Sequence, residues 1–315
     1  MTLQIVRDWR RLPPEQRGAS VALGNFDGVH LGHQRVIEAA RKAGERLGAP
    51  LGVVSFEPHP RYFFQPDAEP FRVMSQGQQA RALEALGVEL FYELPFDAEM
   101  AGMSDEAFAA DVLGRGLRAR WVAVGFDVTY GKGRTGGPTE LSIAGQLHGF
   151  GVSVVDRVDD GGGVKLSSSA VRDALHEGRP EQTAAILGRP FAIEGEVIHG
   201  DKRGREIGVP TANVGLGDYV RPKYGVYAVR TRLPDGRVFD GVANLGIRPM
   251  FESSEPLLEV WLFGFEGDLY GQVVETELVA YLRPEMKFDG LEPLKAQIEK
   301  DAEQARAALR APSRT

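Results

Sequence analysis

The chain changes its pattern part-way along, and that change limits its architecture more than any single residue does. From Ser20 to about Val155, short apolar runs alternate with amphipathic helical stretches, as in a parallel sheet with helices on its faces. Strands are predicted over 21–23, 51–56, 89–94, 121–125 and 152–155. Between the first two, Val36, Ile37, Ala40, Ala43 and Leu47 share one helical face, and Gly48 is placed to cap that helix. From Phe191 to Tyr281 the pattern becomes one of successive strands, over 191–198, 225–233, 237–245, 257–263 and 273–281. Pro234-Asp235-Gly236 predicts a hairpin turn within that series, which implies an antiparallel barrel or sandwich. Leu291, Leu294, Ile298, Ala302, Ala305 and Leu309 then recur at helical spacing, so a final amphipathic helix is expected against that barrel. Two domains follow, 1–183 and 184–315, a division that suits 315 residues.

Composition narrows the function. The chain has no cysteine, so a disulfide framework and a thiolate metal site are both excluded. A net charge of −7 argues against a nucleic-acid binder, which needs an excess of Lys and Arg to displace phosphate counterions. Residues 1–11 lack the apolar core of a signal peptide, and no apolar stretch reaches the length of a membrane span. The expectation is a cytoplasmic protein with neither a nucleic-acid nor a membrane partner. Oligomeric state is not readable from the chain.

The run Gly24-Asn25-Phe26-Asp27-Gly28-Val29-His30-Leu31-Gly32-His33 leaves a predicted buried strand and enters a predicted helix. Backbone N–H groups and the helix dipole favour a phosphate there. His30 and His33 lie three apart, so both imidazoles can face one phosphate and stabilise charge as it builds on phosphorus. A bare pair at this spacing would read as a surface pair or part of a zinc site, but the aromatic-Asp-Gly turn and the strand-to-helix setting point to nucleotidyl transfer from ATP. Gly24, Phe26, Asp27 and Gly32 are assigned to ATP with them. Ser168, Ser169 and Arg172 repeat the logic at a second helix start and can hold the β- and γ-phosphates.

These residues resemble the adenylyltransferase module of bifunctional riboflavin kinase/FAD synthetases, of the H-x-G-H nucleotidyltransferase superfamily. The resemblance covers most of 20–174 and includes Ser55-Phe56-Glu57-Pro58-His59-Pro60 and Gly125-Phe126-Asp127-Val128-Thr129-Tyr130-Gly131-Lys132-Gly133. It implies a Rossmann-like α/β domain in which Phe56, Pro58, His59, Asp127 and Tyr130 cradle a flavin. The aromatic rings suit an isoalloxazine face. Asp127 stands where relatives commonly carry Asn, which adds a negative charge near an FMN phosphate unless a cation or distance offsets it.

In the second half, 200–213 packs glycines, basic residues and a Pro-Thr-Ala-Asn turn into fourteen positions. The Gly-Lys-Ser/Thr ending of a P-loop is missing. Gly200, Lys202, Arg205 and Gly208 could wrap a nucleotide, while Thr211 and Asn213 offer hard oxygen donors to Mg²⁺. From periodicity alone, Glu259 faces away from Leu258, Val260 and Leu262 and reads as a solvent-facing carboxylate. The resemblance continues here with riboflavin kinase and implies an antiparallel β-barrel domain with a C-terminal helix. It makes Glu259 the catalytic base and carries Arg283 and Phe288 over as flavin-side contacts. The implied enzyme phosphorylates riboflavin to FMN and adenylylates FMN to FAD, with ATP as co-substrate and Mg²⁺ as cofactor. Two alternatives stay open at this point: a nucleotidyltransferase of the same superfamily for another phosphorylated alcohol, and a flavin-sensing regulator with one inactive site.

Overall fold

The structure, a computed structural model, describes residues 2–159, 163, 165–199, 209–247 and 255–310. Its contacts divide the chain into two compact units. The first comprises Met1–Glu69 and Gln76–Ser167, the second Pro70–Ser75 and Ser168–Thr315.

The first unit is built on six strands: β1 (Gln4–Val6), β2 (Ser20–Leu23), β3 (Leu51–Glu57), β4 (Leu90–Pro95), β5 (Trp121–Gly125) and β6 (Gly151–Val155). They form one sheet in the order β1-β4-β3-β2-β5-β6, every pair parallel. Its helices are α1 (Leu31–Leu47), α2 (Pro60–Phe64), α3 (Gln76–Ala85), α4 (Ala98–Gly102), α5 (Asp105–Ala107) and α6 (Pro138–His148). A π-helical stretch, Phe108–Gly116, adds Phe108, Val112 and Leu113 to the core. That core also contains Val21, Leu23, Val54, Tyr92, Leu94, Val122 and Val124, the inward residues of the central strands. Gly48 caps α1 in the left-handed conformation at φ +60, as the sequence predicts.

The topology fixes where a ligand can sit. β2 pairs with β3 on one side and with β5 on the other, so the strand order reverses around β2. Parallel sheets of this kind bind ligands beyond the carboxyl ends of the strands at such a reversal. The segments leaving β2, β3 and β5 at that edge contain His30, His59 and Asp127 respectively.

The second unit opens with α7 (Ser168–His176) and α8 (Pro180–Leu187) and continues into a closed barrel. Its strands are β7 (Phe191–Ile198), β8 (Ala212–Gly215), β9 (Gly225–Arg232), β10 (Val238–Ile247), β11 (Pro256–Leu262) and β12 (Val273–Arg283). They close in the order β10-β11-β8-β7-β12-β9, with antiparallel pairing throughout. The hairpin at Pro234-Asp235-Gly236 forms as predicted, with Leu233 N–H donating to the Arg237 carbonyl at 2.8 Å and Gly236 at φ +86. A long helix, α9 (Leu291–Arg310), lies on the outside against β9, β10 and β12.

Two sequence readings need correction. The Pro-Thr-Ala-Asn stretch is a turn only at its start, because Ala212 and Asn213 already belong to β8 and pair with Val260 and Glu259. β1 was not predicted at all. It is three residues long and is held by its pairing with β4, which local pattern does not encode. Among the described residues no helix is long and apolar enough to cross a membrane.

Candidate active sites

The segment between β2 and α1 is held in a conformation that side chains rarely adopt. Phe26 sits at φ +51 and Val29 at φ +41, in the left-handed region, beside Gly28 at φ +89. For a β-branched residue this costs on the order of 1–3 kcal/mol and persists only where the surroundings impose it. Here Phe26 and Val29 are 1% exposed and Asp27 is 3% exposed, so burial pins the turn. Hydrogen bonds add to it. The Asn25 carbonyl accepts from Ser55 Oγ at 2.9 Å and from Gln79 Nε2 at 3.0 Å, and the Val29 carbonyl accepts from Gln34 Nε2 at 3.1 Å. No role was predicted for Ser55, Gln79 or Gln34, because their contribution depends on tertiary neighbours.

His30 caps α1. Its Nδ1 accepts a hydrogen bond from His33 N–H at 3.1 Å, and its backbone is extended. With Nδ1 acting as acceptor, a neutral His30 carries its proton on Nε2. The two imidazoles stack with centroids 3.5 Å apart and planes 20° apart. Phe26 is predicted at the nucleotide, and its ring lies against His33 at 5.0 Å and against Gly24. A Cβ at Gly32 would stand 2.6 Å from the Leu166 carbonyl oxygen and 3.0 Å from His30 Nδ1. The glycine between the histidines is therefore a requirement of close packing.

On the neighbouring strand ends, Phe56 is half-buried, edge-on to Phe96 at 5.7 Å, and Pro58 is exposed. His59 caps α2, its Nδ1 accepting from Arg61 N–H at 3.1 Å. Tyr130 packs on Phe108 at 5.6 Å, and burial pushes its phenol well above the usual tyrosine range. Asp127 forms an ion pair with Lys165, whose Nζ also lies 5.1 Å from the Phe126 ring centroid. The sequence left open whether a cation or distance would offset this charge, and did not single out Lys165.

Ser168 and Ser169 occupy the first turn of α7 in the second unit. Arg172, one turn on, donates from Nε to the Phe71 carbonyl at 2.7 Å and stacks on the Phe71 ring. Gly200, Lys202, Arg205 and Gly208 lie outside the described residues.

Two cavities flank β8 in the second unit. One, of about 590 Å³, separates the outer face of the barrel from the N-terminal half of α9. Thr211, Glu259, Arg283 and Phe288, all predicted from the sequence, line it, together with Asn244 and Trp261. The other, of about 560 Å³, is lined by Pro210, Thr211, Ala212 and the 265–270 segment, including Tyr270, which stacks on His199 at 3.9 Å. Thr211 borders both. Both volumes suit small-molecule ligands.

Glu259 is not the solvent-facing carboxylate that periodicity predicts. Its strand face points out of the barrel, but α9 covers that face, and Glu259 is half-buried in the larger cavity. The ladder sets Asn213 and Asn244 directly opposite it on the two flanking strands. Asn213 is 4% exposed, and its Oδ1 is buried with no hydrogen-bond partner among the described residues. A buried acceptor left without a donor is costly, and a cation relieves that cost. The Thr211 hydroxyl and Asn213 Oδ1 thus fit a hard divalent ion that takes its remaining oxygens from substrate and water. Among the described residues no group of three or more His, Asp or Glu could hold a metal by itself.

Both halves match known sequences. The FAD synthetase family model matches residues 12–170 and the riboflavin kinase family model residues 187–309. A bifunctional riboflavin kinase/FMN adenylyltransferase of Haemophilus influenzae is 38% identical, covering 97% of this chain and 99% of its own length. The protein of the same name from Bacillus subtilis is 39% identical over 96% of both chains. A crystal structure of a Streptococcus pneumoniae protein named macrolide-efflux protein superimposes with a TM-score of 0.86 at 29% identity, over 97% of this chain and 99% of that one. With a histidine-capped helix at the sheet reversal, a barrel carrying Glu259 between two asparagines, and relatives matching both from end to end, the chain belongs to the bifunctional riboflavin kinase/FMN adenylyltransferase family.

Proposed function

We infer that the chain carries out two consecutive ATP-dependent transfers: riboflavin to FMN in the barrel unit, and FMN to FAD, with release of pyrophosphate, in the parallel-sheet unit. The family matches over 12–170 and 187–309 support the assignment of 1–183 to adenylylation and 184–315 to phosphorylation. The observation that carries the reading is the stacked His30–His33 pair at the start of α1, at the point where the sheet reverses.

In adenylylation an FMN phosphate oxygen attacks the α-phosphorus of ATP, and charge accumulates on the equatorial oxygens. His30 Nε2–H and the His33 ring are the proposed donors to that charge, pre-oriented by the Nδ1 cap and the stack. Gly24, Phe26, Asp27 and Gly32 shape the nucleotide side, and Phe56, Pro58, His59 and Tyr130 the flavin side. Asp127, neutralised by Lys165, can border an FMN phosphate without repelling it. The role of Ser168, Ser169 and Arg172 in holding the departing pyrophosphate rests on their sequence pattern.

In phosphorylation Glu259 accepts the proton of the ribityl hydroxyl as that oxygen attacks the γ-phosphorus. Riboflavin is assigned to the larger cavity and ATP to the smaller, so that Thr211, bordering both, lies where phosphate passes from one to the other. Thr211 and Asn213 would hold Mg²⁺, which when bound neutralises phosphate charge. Phe288 walls the flavin side, and Gly200, Lys202, Arg205 and Gly208 keep the nucleotide-wrapping role read from the sequence. A cytoplasmic location accords with ATP as co-substrate and with a chain free of cysteine.

His33→Ala tests the reading. FAD formation from FMN and ATP is expected to fall by about 10²-fold or more, with riboflavin phosphorylation intact, so FMN accumulates in chromatographed product mixtures. Undiminished FAD formation would refute the role of the histidine pair.

A further inference from the structure

We propose that Arg283 and Asp301 form a clasp that fixes the α9 wall of the larger cavity, so that Arg283 serves the bound flavin by positioning α9. The proposal rests on the reading of that cavity as the riboflavin site.

The apolar stripe of α9 does two different jobs along its length. Ala302, Ala305 and Leu309 are buried, the last two in a cluster with Val226, Ala228 and Val242 of the barrel. Leu291, Leu294 and Ile298, one to three turns earlier on the same stripe, stand over the cavity instead. Apolar packing therefore anchors the C-terminal half of the helix only. The N-terminal half has open space beneath it, and something else must set its distance from Glu259 and Trp261 on the opposite wall.

Asp301 sits at the junction of the two halves and is 3% exposed. Its carboxylate accepts Arg283 Nε at 2.8 Å on Oδ1 and Arg283 Nη2 at 2.7 Å on Oδ2, a two-pronged pairing that fixes orientation as well as distance. Gln297 Nε2 donates to Oδ1 at 2.8 Å from within α9. The third nitrogen of Arg283, Nη1, donates to the Pro284 carbonyl at 2.9 Å, and the guanidinium lies 5.9 Å from the Phe288 ring centroid. One side chain thus ties the end of β12, the following segment that contains Met286 and Phe288, and α9 into a single wall. Each of its three nitrogens donates within the protein, which fixes the orientation of the guanidinium.

Arg283→Lys keeps the charge but loses the fork, and Asp301→Asn keeps the shape but loses the charge. Each is expected to raise the riboflavin KM of FMN formation by about 10-fold, the loss of one charge-assisted contact, with kcat changed less than about threefold. Because both act through one contact, the double variant should be no worse than the poorer single one. Adenylylation of supplied FMN should be unchanged in all three. The proposal is overturned if Asp301→Asn leaves the riboflavin KM within twofold of the parent, if the two effects multiply, or if kcat collapses while KM holds. Should Asp301→Asn fail to give a cooperatively unfolding barrel, Gln297→Ala carries the comparison: a KM raised about two- to threefold supports the clasp, and an unchanged KM overturns it. A parent chain that makes no FMN at all would overturn the functional reading itself, and the clasp's role with it.

Discussion

Gly32 has no room for a methyl group. With the Leu166 carbonyl oxygen 2.6 Å and His30 Nδ1 3.0 Å from where a Cβ would stand, Gly32→Ala must displace either the carbonyl or the imidazole. The imidazole is the softer of the two. That variant should keep its secondary structure by circular dichroism yet lose adenylylation by about 10²-fold, as expected when a reacting group is misplaced by an ångström. Wild-type adenylylation in Gly32→Ala would show that the His30 ring position is not what the reaction needs. At this scale the sequence announced His30, Gly32 and His33 through their spacing and their strand-to-helix setting. It did not announce Lys165, which meets Asp127 from 38 positions away, nor Ser55 and Gln79, which reach the Asn25 carbonyl from other strands and helices. Such partners are chosen by the folded chain, and no local pattern records them.

Among the elements, the short strand β8 connects the most chemistry to the least sequence signal. It is four residues long and follows Pro210-Thr211, so turn residues mask it. Its pairing with β11 sets Asn213 beside Glu259, a juxtaposition that the two separate motifs could not show. From the buried Oδ1, which has no hydrogen-bond partner among the described residues, we expect Asn213→Ala to raise the Mg²⁺ concentration needed for riboflavin phosphorylation by at least about 10-fold, measured by Mg²⁺ titration at saturating ATP. An unshifted titration would remove Asn213 from the metal site. The longer strands and α9 were legible because period-2 and period-3.6 apolar patterns persist over many residues in them. What the α9 stripe could not reveal is that only its C-terminal half packs, since an apolar residue facing a barrel and one facing a cavity look alike in sequence. Periodicity alone made Glu259 solvent-facing for the same reason, and only the resemblance gave it a role. Strand periodicity reports which side a residue is on, not whether a distant helix covers that side.

For the whole molecule, the capped histidine pair lies in one compact unit and the carboxylate between two asparagines in the other. The activities should therefore separate by mutation. Glu259→Ala is expected to abolish FMN formation from riboflavin while still converting supplied FMN to FAD at the parent rate, read by chromatography of the flavins. Loss of both conversions together would mean that the two sites are not independent. The most direct measurement is to incubate the unmodified chain with ATP, Mg²⁺ and either riboflavin or FMN, and to identify the flavins formed over time. The account predicts FMN followed by FAD from riboflavin, and FAD with pyrophosphate from FMN. Riboflavin recovered unchanged, or FMN bound without turnover, would contradict it.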